Sequence, residues 1–186
     1  MKKKFFNFNA YFNLLKEFIS SNSDLNSNLF KLRKKILNCK SKKKKVIIFG
    51  NGGSAAIASH FALDLTNVGN VRCVNFSDSA LITCFSNDYG FDNWIYKALN
   101  FYADNGDLLI LISSSGMSKN MIRAVKKSKV KFSSIVTFTG FNVKNNLKKL
   151  GNMSFHVDTN IYNIIENIHQ IWLLSIVDSL SKRNPN

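Results

Sequence analysis

Two short runs in this 186-residue chain carry the residue types that hold an anion. The first is Gly50-Asn51-Gly52-Gly53-Ser54, where glycines leave backbone N–H groups uncovered by side chains, and the helical pattern that follows adds its positive end. The second is Ser113-Ser114-Ser115-Gly116-Met117-Ser118, which places four hydroxyls around a glycine, again at a predicted helix start, and that is more than capping requires. A glycine turn by itself serves any tight turn that needs positive φ. The serines of the second run tip the reading toward a phosphate cradle. Neither run ends in Gly-Lys-Ser/Thr, and the dinucleotide glycine fingerprint is missing, so nucleotide binding is not expected.

The elements around these runs repeat one grammar. The apolar stretch Val46 to Phe49 reads as a buried strand, runs into the glycine turn, and is followed by a helical pattern from Ser54 to about Thr66. Leu108 to Ile112 is a second such strand, followed by the serine turn and a helix from about Ser118 to Lys129. Further strands are predicted at 71–76, 134–138 and 153–157, and helices at 79–85, 92–101 and 161–180. Ahead of them, residues 9–38 place Phe12, Leu15, Phe18, Leu25, Leu29, Leu32 and Ile36 at amphipathic helix spacing. Alternating strand and helix predicts a single α/β domain over residues 1–186, with N-terminal helices in 1–44 and a core in 45–182 whose central parallel sheet is flanked by helices. In such sheets ligands sit beyond the carboxyl ends of the strands, where both turns fall.

Composition excludes several classes. The longest apolar stretches are far short of the roughly 20 residues that a spanning helix needs, so no membrane role is expected. Lys2 to Lys4 begin the chain as a signal peptide would, but Asn7, Asn9, Asn13 and Lys16 interrupt any apolar stretch behind them. Three cysteines, Cys39, Cys73 and Cys84, have no paired or metal-type spacing, which suits reduced thiols in the cytoplasm. The formal charge of +15 invites a nucleic-acid reading, yet much of it lies in lysine runs at element ends, where lysine is a solvated default. Scattered lysines would give only non-specific affinity, so nucleic acid is not expected as the partner.

The motifs Gly50-Asn-Gly-Gly-Ser-Ala-Ala56, His60-Phe-Ala62, Ser86-Asn-Asp-Tyr-Gly90 and Ser113-Ser-Ser-Gly-Met-Ser-Lys-Asn120, in this order, resemble those of the phosphoheptose isomerases. These are sugar isomerase (SIS) domain enzymes that convert sedoheptulose 7-phosphate to heptose 7-phosphate. The resemblance runs from about Lys45 to Leu180 and implies the SIS fold, with the N-terminal helices matching only in position. It implies that Ser54, Ser113, Ser114, Ser115 and Ser118 bind phosphate, that Asn51 and Gly52 shape the pocket, and that Asp88 contacts sugar hydroxyls.

In that family the reactive centre, which in some members holds zinc, resembles a His and Glu one helical turn apart plus a Gln and His from the last helix. Here the corresponding positions hold His60, Asp64, Glu166 and Leu174, and Asn163 stands where Asp is usual. Enediol chemistry needs a base for a carbon-bound proton and an acid for the oxygen. His60 and Asp64, at i and i+4 on one helix face, and Glu166 remain as the candidate catalytic set. Leu174 can neither titrate nor bind metal, so a zinc ion would have only His60, Asp64 and Glu166 as ligands, with an open fourth position. His156 and His169 are read as structural, and Trp94 and Trp172 as core or subunit contacts.

The resemblance implies an isomerase supplying heptose for a surface polysaccharide such as lipopolysaccharide or capsule, and a homotetramer with sites at subunit interfaces. The stripes in 12–36 and 164–180 are the candidate contact faces. The competing reading is a non-catalytic SIS module of the type that binds the bacterial replication initiator DnaA. Leu174 favours it, and the retained carboxylates Asp64 and Glu166 oppose it.

Overall fold

A computed structural model describes residues 6–20 and 23–181. The Lys2 to Lys4 run and Lys182, the last residue of the expected core, fall outside them. In chain order the elements are α1 (Phe8–Ile19), α2 (Ser23–Ser41), β1 (Val46–Phe49), α3 (Gly53–Asn67), β2 (Cys73–Val74), α4 (Ser79–Tyr89), α5 (Trp94–Tyr102), β3 (Leu108–Ser113), α6 (Lys119–Lys127), β4 (Ser134–Gly140), α7 (Asn146–Leu150), β5 (Met153–Val157) and α8 (Tyr162–Asp178). The strands form one parallel sheet in the order β2-β1-β3-β4-β5.

All four residues of β1 and all six of β3 are buried, which is why both read as unbroken apolar runs: a parallel strand covered on both faces has no polar side to show. Side chains nonetheless alternate between two cores. Val46, Ile48, Leu108, Ile110, Ile112, Val136 and Phe138 join Phe61 and Leu65 of α3 and Ile164, Ile168 and Leu173 of α8. Ile47, Phe49, Leu109 and Leu111 join Trp94, Ile95 and Leu99 of α5 and Met121 of α6. The register pairs Val46 with Leu108 and Phe49 with Leu111, so the carboxyl ends of β1 and β3 lie side by side. From β1 the chain winds to β2 on one side and later to β3 on the other, which makes the β1/β3 crevice the topological switch point of the sheet.

At the amino ends of the same strands a charged clip closes the sheet. Asp107, fully buried, accepts hydrogen bonds from the backbone N–H groups of Lys45 (3.0 Å) and Asp104 (2.8 Å) and an ion pair from the Lys45 ammonium (2.7 Å).

Three departures from the sequence reading have local causes. The strand expected over 71–76 shrinks to Cys73–Val74, because it is an edge strand with only two register positions on β1. Helix α4 runs on through Tyr89, so Ser86 to Tyr89 is its last turn, stopped by Gly90 at φ +80°. Helix α7 was not expected; the Asn145 side chain caps it by accepting from the Lys148 N–H at 2.9 Å. Trp94 and Trp172 are core residues. The stripe at 164–180 is mostly consumed inside the chain, whereas α1 buries none of its residues and leaves Phe8 and Phe12 exposed. No helix among the described residues is long and apolar enough to cross a membrane.

Candidate functional site

The two turns meet at the switch point. After β1 the chain reverses so tightly at Gly50 that a Cβ there would collide with the Ser54 carbonyl. Gly52 takes φ +54° and ψ −125°, a conformation an L side chain rarely adopts, and caps α3 without any side-chain hydrogen bond. The Ala55 and Ala56 N–H groups donate to the Gly52 carbonyl (2.9 and 3.3 Å), which leaves those of Gly53 and Ser54 for a ligand, with the positive end of the helix behind them. After β3, the Gly116 N–H donates to the Ser113 carbonyl (2.9 Å), and Gly116, at φ +63°, packs so closely on Asn145 that no other residue fits. The Leu147 N–H donates back to the Gly116 carbonyl at 2.9 Å, so the unforeseen α7 buttresses the serine turn.

A side-chain tie joins the turns. The Asn51 and Asn120 amides exchange two hydrogen bonds, at 3.1 and 2.9 Å. Asn120 is buried at the start of α6, where its amide oxygen also accepts from the Met121 N–H at 3.0 Å. Its place in the Ser113 to Asn120 motif gives no sign of this tie in the sequence.

Between the turns lies a cavity of about 140 Å³, lined by Asn51, Ser54, Ile112, Ser113, Ser114, Ser115 and Ser118, and on the α8 side by Tyr162 and Glu166. All five serines expected to bind phosphate are brought together there. Ser118 stands at the cap of α6 but does not cap it; its hydroxyl pairs with that of Ser113 at 3.0 Å. The Ser115 hydroxyl accepts from the Met117 N–H at 3.2 Å. The Ser114 hydroxyl is buried with no partner. Glu166 packs against Gly53, where a Cβ would strike its carboxylate, and desolvation by burial holds its pKa above the usual value. Tyr162, another residue that sequence reading missed, leans on Phe141 with ring centroids 4.7 Å apart.

His60 and Asp64 lie farther along α3, outside the cavity lining. His60 Nε2 and Asp64 Oδ2 are 3.1 Å apart, and His60 Nδ1 is 3.4 Å from Nε2 of Gln170 on α8. Asp88 is not brought to the serines: it is exposed on α4 and engaged with Asn87 (3.0 Å) and Cys84 (3.7 Å). The structural reading of the other histidines agrees with their partners. His169 is fully buried against the Thr139 carbonyl (3.1 Å), its pKa depressed by burial to about 3, and His156 pairs with the Thr139 hydroxyl at 3.1 Å.

The expected three-ligand set for zinc is not assembled. Among the described residues no three His, Cys, Asp or Glu side chains come together as a metal site. The cause is visible in α8: Glu166 is turned to Gly53 and the serines, and the residue that meets His60 one helical turn later is Gln170. As arranged, these side chains do not fit a zinc ion.

The fold and paired turns define the class, and the SIS domain family model matches residues 8–140. The phosphoheptose isomerase of Fusobacterium nucleatum is 33% identical over 178 residues, covering 92% of this chain and 90% of that protein. The solved phosphoheptose isomerase of Neisseria gonorrhoeae superposes with a TM-score of 0.81 at 27% identity, covering 92% of this chain and 96% of that one. That of Francisella tularensis superposes with a TM-score of 0.84 at 25% identity, covering 93% and 95%. The chain belongs to the phosphoheptose isomerase family of SIS-domain enzymes. With relatives of this kind over nearly its whole length, the non-catalytic alternative is not favoured.

Proposed function

We propose that the protein interconverts a ketose and an aldose phosphate, with sedoheptulose 7-phosphate and heptose 7-phosphate as the pair its family membership suggests. The observation that carries the reading is the Ser114 hydroxyl: a buried, unpartnered donor in a serine-lined cavity at a helix N-terminus calls for an anionic oxygen. Phosphate seated there would accept from Ser54, Ser113, Ser114, Ser115 and Ser118 and from the N–H groups of Gly53 and Ser54 that open α3, with Asn51 and Gly52 shaping the turn. The sugar chain would then run along the seam between α3 and α8, from Glu166 toward His60.

In that pose Glu166 removes the C1 proton of the ketose while the Nε2–H of His60 turns from Asp64 to deliver its proton to O2. The resulting enediol takes the C1 proton back at C2 from Glu166 and returns the O1 proton to Nε2 of His60, leaving the aldehyde and both side chains as they began. A carboxyl whose pKa is raised by desolvation is a stronger base once ionised, which suits Glu166 to a weakly acidic C–H. Asp88 would reach the sugar hydroxyls only in an arrangement other than its present one. A homotetramer belongs to the same reading, supported by the apolar α1 face and by a His60 side chain that is 45% exposed and open to completion by a neighbour. So do placement in the cytoplasm and a role in supplying heptose to surface polysaccharide.

The test is incubation with sedoheptulose 7-phosphate in deuterium oxide, followed by NMR. Product with deuterium at C2 supports the reading. Absence of both exchange and binding would remove it, and binding without exchange would leave the cradle but not the chemistry.

A further inference from the structure

His60 has both ring nitrogens engaged by protein groups, and the second partner comes from α8. Tyr162, Glu166 and Gln170 follow one another at four-residue spacing, so they share one face of α8, the face laid along α3. Glu166 meets α3 at Gly53 and Gln170 meets it at His60. The amide nitrogen of Gln170 is a donor only, and it faces Nδ1 at 3.4 Å. Nε2 faces a carboxylate oxygen of Asp64 at 3.1 Å, and a carboxylate accepts. Both contacts are satisfied together by one neutral form of the ring, with Nδ1 bare and the hydrogen on Nε2. A histidine set up as a metal ligand also has one bare nitrogen and the other held by an acceptor, but its bare nitrogen is left open to the metal, whereas here the bare Nδ1 is taken by the Gln170 amide donor. Leu174, one turn beyond Gln170, adds no further polar group.

We infer that Gln170 is a positioning residue that fixes His60 in the Nε2–H form, aimed at Asp64, so that the reactive end of this site is a hydrogen-bonded Gln170–His60–Asp64 line in place of a metal centre. The inference rests on the isomerase reading for what His60 does, but its arrangement can be tested without any sugar.

The chain has three histidines, so a two-bond proton–nitrogen NMR spectrum of the histidine-labelled full-length protein can be read residue by residue, with His60→Asn assigning the signal. The expected spectrum shows His60 with Nδ1 bare and Nε2 protonated. Gln170→Glu replaces the donor by an acceptor and should move a proton onto Nδ1. Gln170→Met removes the donor and should give a mixture of the two neutral forms, which keeps the test alive if the glutamate variant does not fold. One equivalent of zinc chloride, added after chelator treatment, should leave the His60 signals in place and leave far less than one metal per chain after dialysis. A wild-type His60 protonated on Nδ1, a spectrum indifferent to both substitutions, or one retained zinc per chain that shifts His60 would each overturn the inference. Failure of exchange with sedoheptulose 7-phosphate would count against the isomerase reading and leave these outcomes untouched.

Discussion

Replacing Ser114 by alanine should move stability and binding in opposite directions. The Ser114 hydroxyl is buried without a partner, and an unsatisfied buried hydroxyl costs about 1–3 kcal/mol. Removing it relieves that cost and opens a gap of one oxygen atom, so the variant should unfold at the same temperature or higher, by up to about 4 °C if about 1 kcal/mol is recovered. If the hydroxyl donates to phosphate, the same change forfeits a hydrogen bond to a charged group, about 1.5–3 kcal/mol, and the Kd for the sugar phosphate should rise by about 10- to 150-fold. Thermal unfolding of the free protein and calorimetry with sedoheptulose 7-phosphate measure the two limbs. A variant that loses more than about 1 kcal/mol of stability, with an unchanged Kd, would show that Ser114 is a structural hydroxyl and would refute the phosphate assignment.

Glu166→Gln should lower kcat by at least about 100-fold while Kd for the sugar phosphate stays within a few-fold, and near-wild-type turnover would remove Glu166 from the chemistry. Because burial raises the Glu166 pKa, the acidic limb of the wild-type kcat/KM profile should lie above the usual glutamate value of 4.5. The same shift has a definite sign in stability: the Glu166 contribution is full below pH 4.5 and is lost as pH rises through the raised value, so denaturation midpoints of wild type and Glu166→Gln should diverge with rising pH. Gly53→Ala puts a methyl into the Glu166 carboxylate and should cost about 1–3 kcal/mol or displace Glu166, read as lost kcat in a variant that still folds. Asp107→Ala leaves two backbone donors unpaired at the far end of the sheet and Lys45 with Asp104 alone, and should cost about 2–4 kcal/mol in urea unfolding without changing the Kd for the sugar phosphate.

The legible parts of the site were those made by backbone. Gly50 to Ser54 and Ser113 to Ser118 announce themselves because glycine and serine at strand-to-helix junctions are forced by geometry, and the parallel sheet that aligns them follows from two apolar runs of strand length. What depended on side-chain direction was not legible. Glu166 and Gln170 lie one turn apart on α8, and no spacing rule says which of them reaches His60; Gly53, which has room for the nearer carboxylate, decides it. Asn120 was similarly hidden, since a buried amide inside a helix looks like any polar residue until its partner Asn51 arrives from a turn distant in sequence. The edge strand was expected too long and α7 escaped, because two and five residues are too few to display a period.

This division of labour explains how the chain can depart from its family at the reactive end and keep the fold. The phosphate end is built from turns that hold the sheet's switch point together, through Gly50, Gly52, Gly116 and the Asn51–Asn120 tie, so changes there strike packing as well as binding. The reactive end is built from side chains on the facing surfaces of two helices already anchored by Phe61, Leu65, Ile168 and Leu173 in the core. Asp64, Glu166 and Leu174 can therefore change without moving a strand. Substitutions at His60, Asp64 and Gln170 should accordingly alter kcat while leaving unfolding within about 0.5 kcal/mol of wild type. A large stability loss at any of the three would show that the two ends are not separable, and that the helix seam carries part of the fold.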